Sequence, residues 1–148
     1  MDFKLSFDDY HVIETVYKRV PNNDFQESIS PQFNVRIKYA DKNYSKASIL
    51  LTIELGDKAL KQNSVYVKAK IMGIFSLEVN TQEVEEDINS FYKINALAIL
   101  YPYIRSLVSD LTGKGNEAPL ILPPMNIIQM VEDKELVEEK VDPQITKV

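Results

Sequence analysis

The chain has 148 residues, 45% of them apolar and 26% charged, with no cysteine and 17 basic against 22 acidic side chains, for a net charge of −5. That length and balance suit one ordinary globular domain with a real core and do not suit a disordered chain. The lack of cysteine excludes disulfides and thiol chemistry, and the acidic balance argues against nucleic acid as the main partner, because duplex binding needs a basic stripe to release counterions. The first twelve residues, MDFKLSFDDYHV, lack the basic start and continuous apolar run of a signal peptide. The longest apolar run, Ala96 to Tyr103, is far shorter than the roughly 20 residues that span a bilayer. A cytoplasmic protein without membrane insertion is expected.

In chain order, residues 3–20 alternate imperfectly (Leu5 and Phe7, then Val12, Ile13, Val16 and Tyr17), which predicts one long strand with a bulge near Asp8-Asp9. Val20-Pro21-Asn22-Asn23-Asp24 ends it with turn chemistry, and residues 25–31 form a crossing loop that carries Phe25 and Ile29. Residues 33–40 alternate cleanly, with Phe33, Val35, Ile37 and Tyr39 on one face, and Asp41-Lys42-Asn43 marks a hairpin. The pattern repeats over 46–56 and over 64–72, where Val65, Val67, Ala69 and Ile71 face in and Tyr66, Lys68 and Lys70 face out. Clean period-2 strands with one polar face each predict an antiparallel sheet wet on one side.

From Glu83 to about Gly113 the apolar residues switch to helical spacing, at Ile88, Phe91, Ile94, Leu97, Tyr101, Ile104, Leu107 and Leu111. Pro102 lies inside this helix, where a proline costs roughly 3 kcal/mol by removing a hydrogen bond and crowding the carbonyl of Ala98. Ile94, Leu97, Ile99 and Leu100 together circle the helix, and a helix too apolar for one sheet face needs a second partner. Gly113-Lys114-Gly115 is a helix stop with an expected left-handed glycine, and Leu120, Ile121 and Leu122 then sit in a loop bounded by Pro119 and Pro123-Pro124. A second helix is expected over Asn126 to Glu139, with a loose tail from 141 to 148. The fold class is α+β, with one domain over 1–140: a four-stranded antiparallel sheet followed by a long helix and a second C-terminal helix packed on it.

Catalytic chemistry is not apparent. Gly113-Lys114-Gly115 lacks the first glycine and the Ser/Thr of a phosphate-binding loop. His11 is the only histidine, and one His without cysteine cannot build the usual transition-metal shell, so neither metal nor cofactor is expected. Asp8-Asp9 and Glu85-Glu86-Asp87 suit solvated faces or a helix N-terminus better than an acid/base dyad. Tyr101 and Tyr103 are expected to pack where Pro102 opens the helix. Leu120 and Leu122 suit either the core or a groove wall. A non-enzymatic protein is expected, although a small-ligand carrier or an enzyme on the same scaffold stays open, since fold does not decide function.

The residues Tyr101, Pro102, Tyr103, Arg105, Gly113, Gly115, Pro119, Leu120, Leu122, Pro124 and Asn126 together resemble the C-terminal half of SecB, the bacterial protein-export chaperone family, and Gly73-Ile74-Phe75-Ser76 is similar to that family's Gly-Ile-Phe at the end of its last strand. The resemblance implies an ATP-independent holdase for unfolded client polypeptides, assembled as a homotetramer (a dimer of dimers) packed through the first helix. It implicates Phe25, Ile29, Phe33, Leu120, Leu122, Ile127, Ile128 and Met130 in client grooves. It implicates Val67, Ala69, Ile71, Leu97, Leu100, Tyr101, Ile104 and Arg105 in the subunit interface. One departure concerns the translocation motor SecA: where SecB proteins present a leucine and an acid on the wet face, this chain has Tyr66 and Lys68, and basic groups there would repel a basic motor tail. A related expectation is a SecB-like chaperone for a client outside export, such as an antitoxin.

Overall fold

A computed structural model of the chain describes residues 3–21, 29–79, 85–115, 117–132 and 136–141. Its elements are β1 (Phe3–Arg19), β2 (Gln32–Tyr39), β3 (Lys46–Gly56), β4 (Val65–Val79), α1 (Glu85–Thr112), α2 (Ile127–Glu132) and β5 (Leu136–Val141). They form one sheet in the order β1-β4-β3-β2-β5. The pairs β1–β4, β4–β3 and β3–β2 are antiparallel, as the alternating pattern predicts, and β5 lies parallel to β2.

The alternation becomes a core with one wet side. Phe33, Val35, Ile37 and Tyr39 on β2, Ala47, Ile49, Leu51, Ile53 and Leu55 on β3, and Val65, Val67, Ala69, Ile71, Phe75 and Leu77 on β4 are all buried on the face that α1 covers. The helix answers with Ile88, Tyr92, Ala96, Leu97, Leu100, Tyr101, Ile104 and Val108, the three-and-four spacing of one helical stripe. Gly73 sets how closely the layers approach: a Cβ there would come within 2.6 Å of the Phe75 ring and 2.9 Å of Leu100. The buried tyrosines keep their polar ends satisfied, Tyr92 donating to the Tyr44 carbonyl at 2.7 Å and Tyr39 to Asn89 Oδ1 at 2.5 Å.

β1 carries its bulge where expected, between Phe7 and Asp9, and a second register shift between Val12 and Glu14. The helix packs over β4 and β3, so the helix-side face of β1 is only partly covered. The β2–β3 turn is organised by Asp41, whose Oδ1 accepts from the amides of Asn43 and Ser45 at 3.0 Å each while Oδ2 accepts from the Ser45 hydroxyl.

Several boundaries differ from expectation. β4 runs through Gly73-Ile74-Phe75-Ser76 to Val79, because Phe75 and Leu77 continue the inward alternation. The second helix, expected to reach Glu139, stops at Glu132, and Leu136–Val141 is a strand. The acid-rich segment has good helix formers, but the open edge of β2 offers its backbone a ladder, and tertiary pairing overrides propensity. The glycine stop is also different: neither Gly113 nor Gly115 has a left-handed backbone. Residues 25–28 of the expected crossing loop, the expected helix start at Glu83 and the tail beyond Val141 lie outside the described residues. Among the described residues, no helix is long and apolar enough to cross a membrane.

Candidate functional site

The loop after α1 is held by hydrogen bonds at defined points. Thr112 closes the helix, fully buried, with its hydroxyl donating to the Val108 carbonyl at 2.8 Å and accepting from the Leu120 amide at 2.7 Å. Gly113 donates to the Ser109 carbonyl at 3.1 Å. A Cβ on Gly113 would lie 3.2 Å from both that carbonyl and the Pro119 ring, so the glycine is used for close passage of the returning loop. Farther along, the Tyr101 hydroxyl donates to the Pro123 carbonyl at 2.5 Å. Burial raises the Tyr101 pKa, with the Arg105 charge pulling the other way, so this donor is neutral at physiological pH. Asn126 then caps α2 through its Oδ1, which accepts from the Gln129 amide at 3.0 Å.

Between these ties the side chains alternate in burial. Leu122 points into the core and is 3% exposed, Leu120 and Met125 pack against that core half-buried, and Ile121 is 65% exposed. On α2, Ile127 is buried and Ile128 is 52% exposed. Phe33 at the start of β2 is buried with its ring 6.0 Å from that of Tyr101, and Ile29 packs half-buried against the same core.

The expected groove residues therefore divide. Phe33, Leu122 and Ile127 form the foundation, Ile29 and Leu120 are partly accessible, and Ile128 is open. Phe25 lies outside the described residues, as does the side chain of Met130. Ile121 was missed by the sequence reading. The available signal was three consecutive apolar residues, Leu-Ile-Leu, between prolines, of which one core position cannot take all three.

A concave region lies between β1 and α1. Tyr10, Pro102, Tyr103, Ser106, Leu107 and Asp110 line an open depression of about 510 Å³. Its aromatic wall continues inward, with Tyr10 and Tyr103 ring centroids 4.7 Å apart, Phe7 and Tyr103 5.7 Å apart in an edge contact, and Phe7 stacked on Phe75 at 5.1 Å. Tyr103 nevertheless leaves 43% of its surface exposed, and Val12 and Ile13 on the adjoining stretch of β1 are about half exposed.

Most of the expected interface residues are covered within the chain itself. Val67, Ala69, Ile71, Leu97, Leu100 and Ile104 are sealed inside the chain's own sheet–helix layer, and Tyr101 is nearly so. Arg105 is half-buried, and Tyr103 is the one exposed large apolar side chain of α1 among the described residues.

On the wet face, Tyr66 and Lys68 are both engaged. Tyr66 is buried beneath Lys18, whose ammonium lies 5.7 Å from its ring centroid, and its hydroxyl donates to Glu54 at 2.7 Å. Burial, with the Glu54 contact adding to it, pushes its pKa up to about 12. Lys68 pairs with Glu14 at 3.1 Å. His11 forms an exposed 3.1 Å contact with Asp9. Among the described residues, no group of three or more His, Asp or Glu side chains is placed to hold a metal ion.

Known proteins resemble this chain in sequence and in fold. The family described as preprotein translocase subunit SecB matches residues 15–136. An uncharacterized protein of Methanocaldococcus jannaschii is 31% identical over 139 residues, covering 92% of this chain and 88% of that protein. The protein-export protein SecB of Alcanivorax borkumensis is 27% identical over 107 residues, covering 69% of this chain and 66% of that protein's length. Among solved structures, the SecB-like chaperone of Mycobacterium tuberculosis, in complex with a peptide from the HigA1 antitoxin, shares the fold, with a TM-score of 0.66, 19% identity and coverage of 82% of this chain and 90% of that one. Matched from the second half of β1 to the first residue of β5, with the proline-containing helix and its proline-bounded loop inside the match, the chain belongs to the SecB family.

Proposed function

We propose that the protein is an ATP-independent holdase chaperone that binds unfolded polypeptides, working in the cytoplasm as a homotetramer built as a dimer of dimers. The carrying observation is Ile121, an isoleucine held 65% exposed on a loop whose backbone is tied on both sides of it, at Leu120 and Pro123, to α1. A large apolar side chain presented on a braced backbone suits a contact made later, and Ile128 extends the apolar surface onto α2. Burying one such side chain against a client contributes about 1.5–3 kcal/mol, too little for tight binding once ordering costs are met. Several equivalent sites on one oligomer then supply the rest through effective concentration. Native proteins hide their apolar segments, so accessibility alone selects unfolded clients.

The test is dilution of a denatured aggregation-prone protein into buffer without nucleotide. The parent chain suppresses light scattering at a stoichiometric ratio, and Ile121→Asp with Ile128→Asp, both surface changes, loses most of that protection. No suppression by the parent chain would end the holdase reading. Clients in protein export are supported by the relatives named protein-export protein SecB. A client outside export, such as an antitoxin, is supported by the engaged Tyr66 and Lys68 on the wet face and by the antitoxin peptide bound to the M. tuberculosis chaperone. Co-purification of SecA, or of a toxin–antitoxin pair, separates these two.

A further inference from the structure

The antiparallel meander ends at β2, and a strand in that position leaves one row of backbone N–H and C=O groups open to any extended chain. Here the row is taken by β5, from Phe33 opposite Leu136 to Lys38 opposite Val141. This is the only parallel pairing among the described strands. Parallel pairs are slightly less stable per residue than antiparallel ones. The strand is six residues long, and Glu138, Glu139 and Lys140 in its middle are poor strand formers. It begins at the Phe33 end of β2, beside Tyr101 and so beside the carbonyl of Pro123 in the exposed apolar loop. The weakest ladder in the sheet thus starts at the proposed client surface.

We propose that the β2 edge is a docking site for an extended segment of unfolded polypeptide, and that β5 is the chain's own occupant, displaced when a client strand takes its place. The inference rests on the holdase reading and deepens it by giving the client a backbone-pairing mode. Strand addition fits the task, because main-chain hydrogen bonds supply affinity without regard to sequence while the loop supplies apolar contacts. β5 covers the edge between clients, which keeps a bare strand from pairing with other copies.

The chain has no cysteine, so one engineered pair gives one disulfide. Arg36 and Glu139 are direct register partners, and neighbouring strand positions fall within disulfide reach. The probe is a fluorescently labelled, reduced and carboxymethylated protein that stays unfolded, read by anisotropy. With Arg36→Cys and Glu139→Cys, oxidation closes the bridge and weakens binding at least tenfold, and reductant restores it. The opposite change is Val137→Pro with Glu138→Pro: of two adjacent residues, one N–H faces β2, so this pair loosens β5 and tightens probe binding threefold or more. Failure of the disulfide to form in the folded protein overturns the inference, as does binding that agrees within twofold between oxidised and reduced forms. A larger assembly on light scattering from the proline variant, without tighter probe binding, assigns the edge to a second copy and overturns it too. Loss of binding in every form, parent included, removes the holdase reading itself, an outcome distinct from equal binding by clamped and free forms.

Discussion

The Asp41 carboxylate gathers the side-chain hydrogen bonds of the β2–β3 turn. Burial works against its charge, but hydrogen bonds from the Ser45 hydroxyl and from the amides of Ser45, Asn43 and Tyr44 outweigh it and lower its pKa. The folded state therefore holds this proton less tightly than the unfolded chain does. The resulting stabilisation is present in full above the unfolded value of about 3.9 and is lost as pH falls through the lower native value. Asp41→Asn should melt below the parent at pH 7, and the two curves should converge in acid well below that unfolded value. Thermal melts at both pH values, at one protein concentration, check this; a gap of unchanged size in acid would show that the carboxylate's charge is not what matters. Tyr66 and Tyr101 are simpler, since both have raised pKa values and remain neutral donors to Glu54 and to the Pro123 carbonyl through the physiological range.

At the level of elements, the joint between α1 and the returning loop rests on the Thr112 hydroxyl. Thr112→Val keeps the shape and removes both hydrogen bonds, leaving the part-buried Leu120 amide without its acceptor, at a cost of about 1 kcal/mol. The expected result is a lowered melting temperature together with weaker client protection, with Thr112→Ser close to the parent in both. The strands β2 and β3 were legible to within a residue, because Phe33 to Tyr39 and Ala47 to Leu55 alternate without a break. The bulge at Asp8 was legible because Leu5 and Phe7 fall out of phase with Val12. β5 was not legible: LVEEKV has no distinctive period, and what makes it a strand is the open edge of a neighbour about 100 residues earlier in the chain. The apolar loop was visible from its prolines, but which of Leu120, Ile121 and Leu122 faces outward depends on the ties at Thr112 and Tyr101, and those are set by three-dimensional proximity. Likewise, the surplus apolar character of α1 was evident, but its face was not: Leu97, Leu100 and Ile104 make the stripe that the sheet covers.

For the whole molecule, the uncovered helix-side flank of β1 matters most. Tyr10, Tyr103 and Leu107 line a depression with apolar walls, and half-exposed Val12 and Ile13 lie on the neighbouring part of the strand. In the proposed tetramer this flank is the natural meeting surface, because it carries Tyr103, the one exposed large apolar side chain of α1 among the described residues. Tyr103→Asp with Leu107→Asp should shift the sedimentation profile toward smaller species while leaving the far-ultraviolet circular dichroism unchanged. It should also weaken protection of long clients more than binding of a short apolar peptide, since only the former depends on several sites at once. An unchanged sedimentation profile would move the interface elsewhere.

The two anchors of the loop, Leu120 on Thr112 and Pro123 through Tyr101, lie three positions apart and grip the same helix. Ile121 and Leu122 therefore cannot swing independently of α1, and the ledge they form has a preset height above the sheet. Adaptation between ledge and guest falls to the guest. A chain free to bend can settle its side chains over such a ledge one after another, whereas a stiff or already folded one meets a shape that will not yield to it.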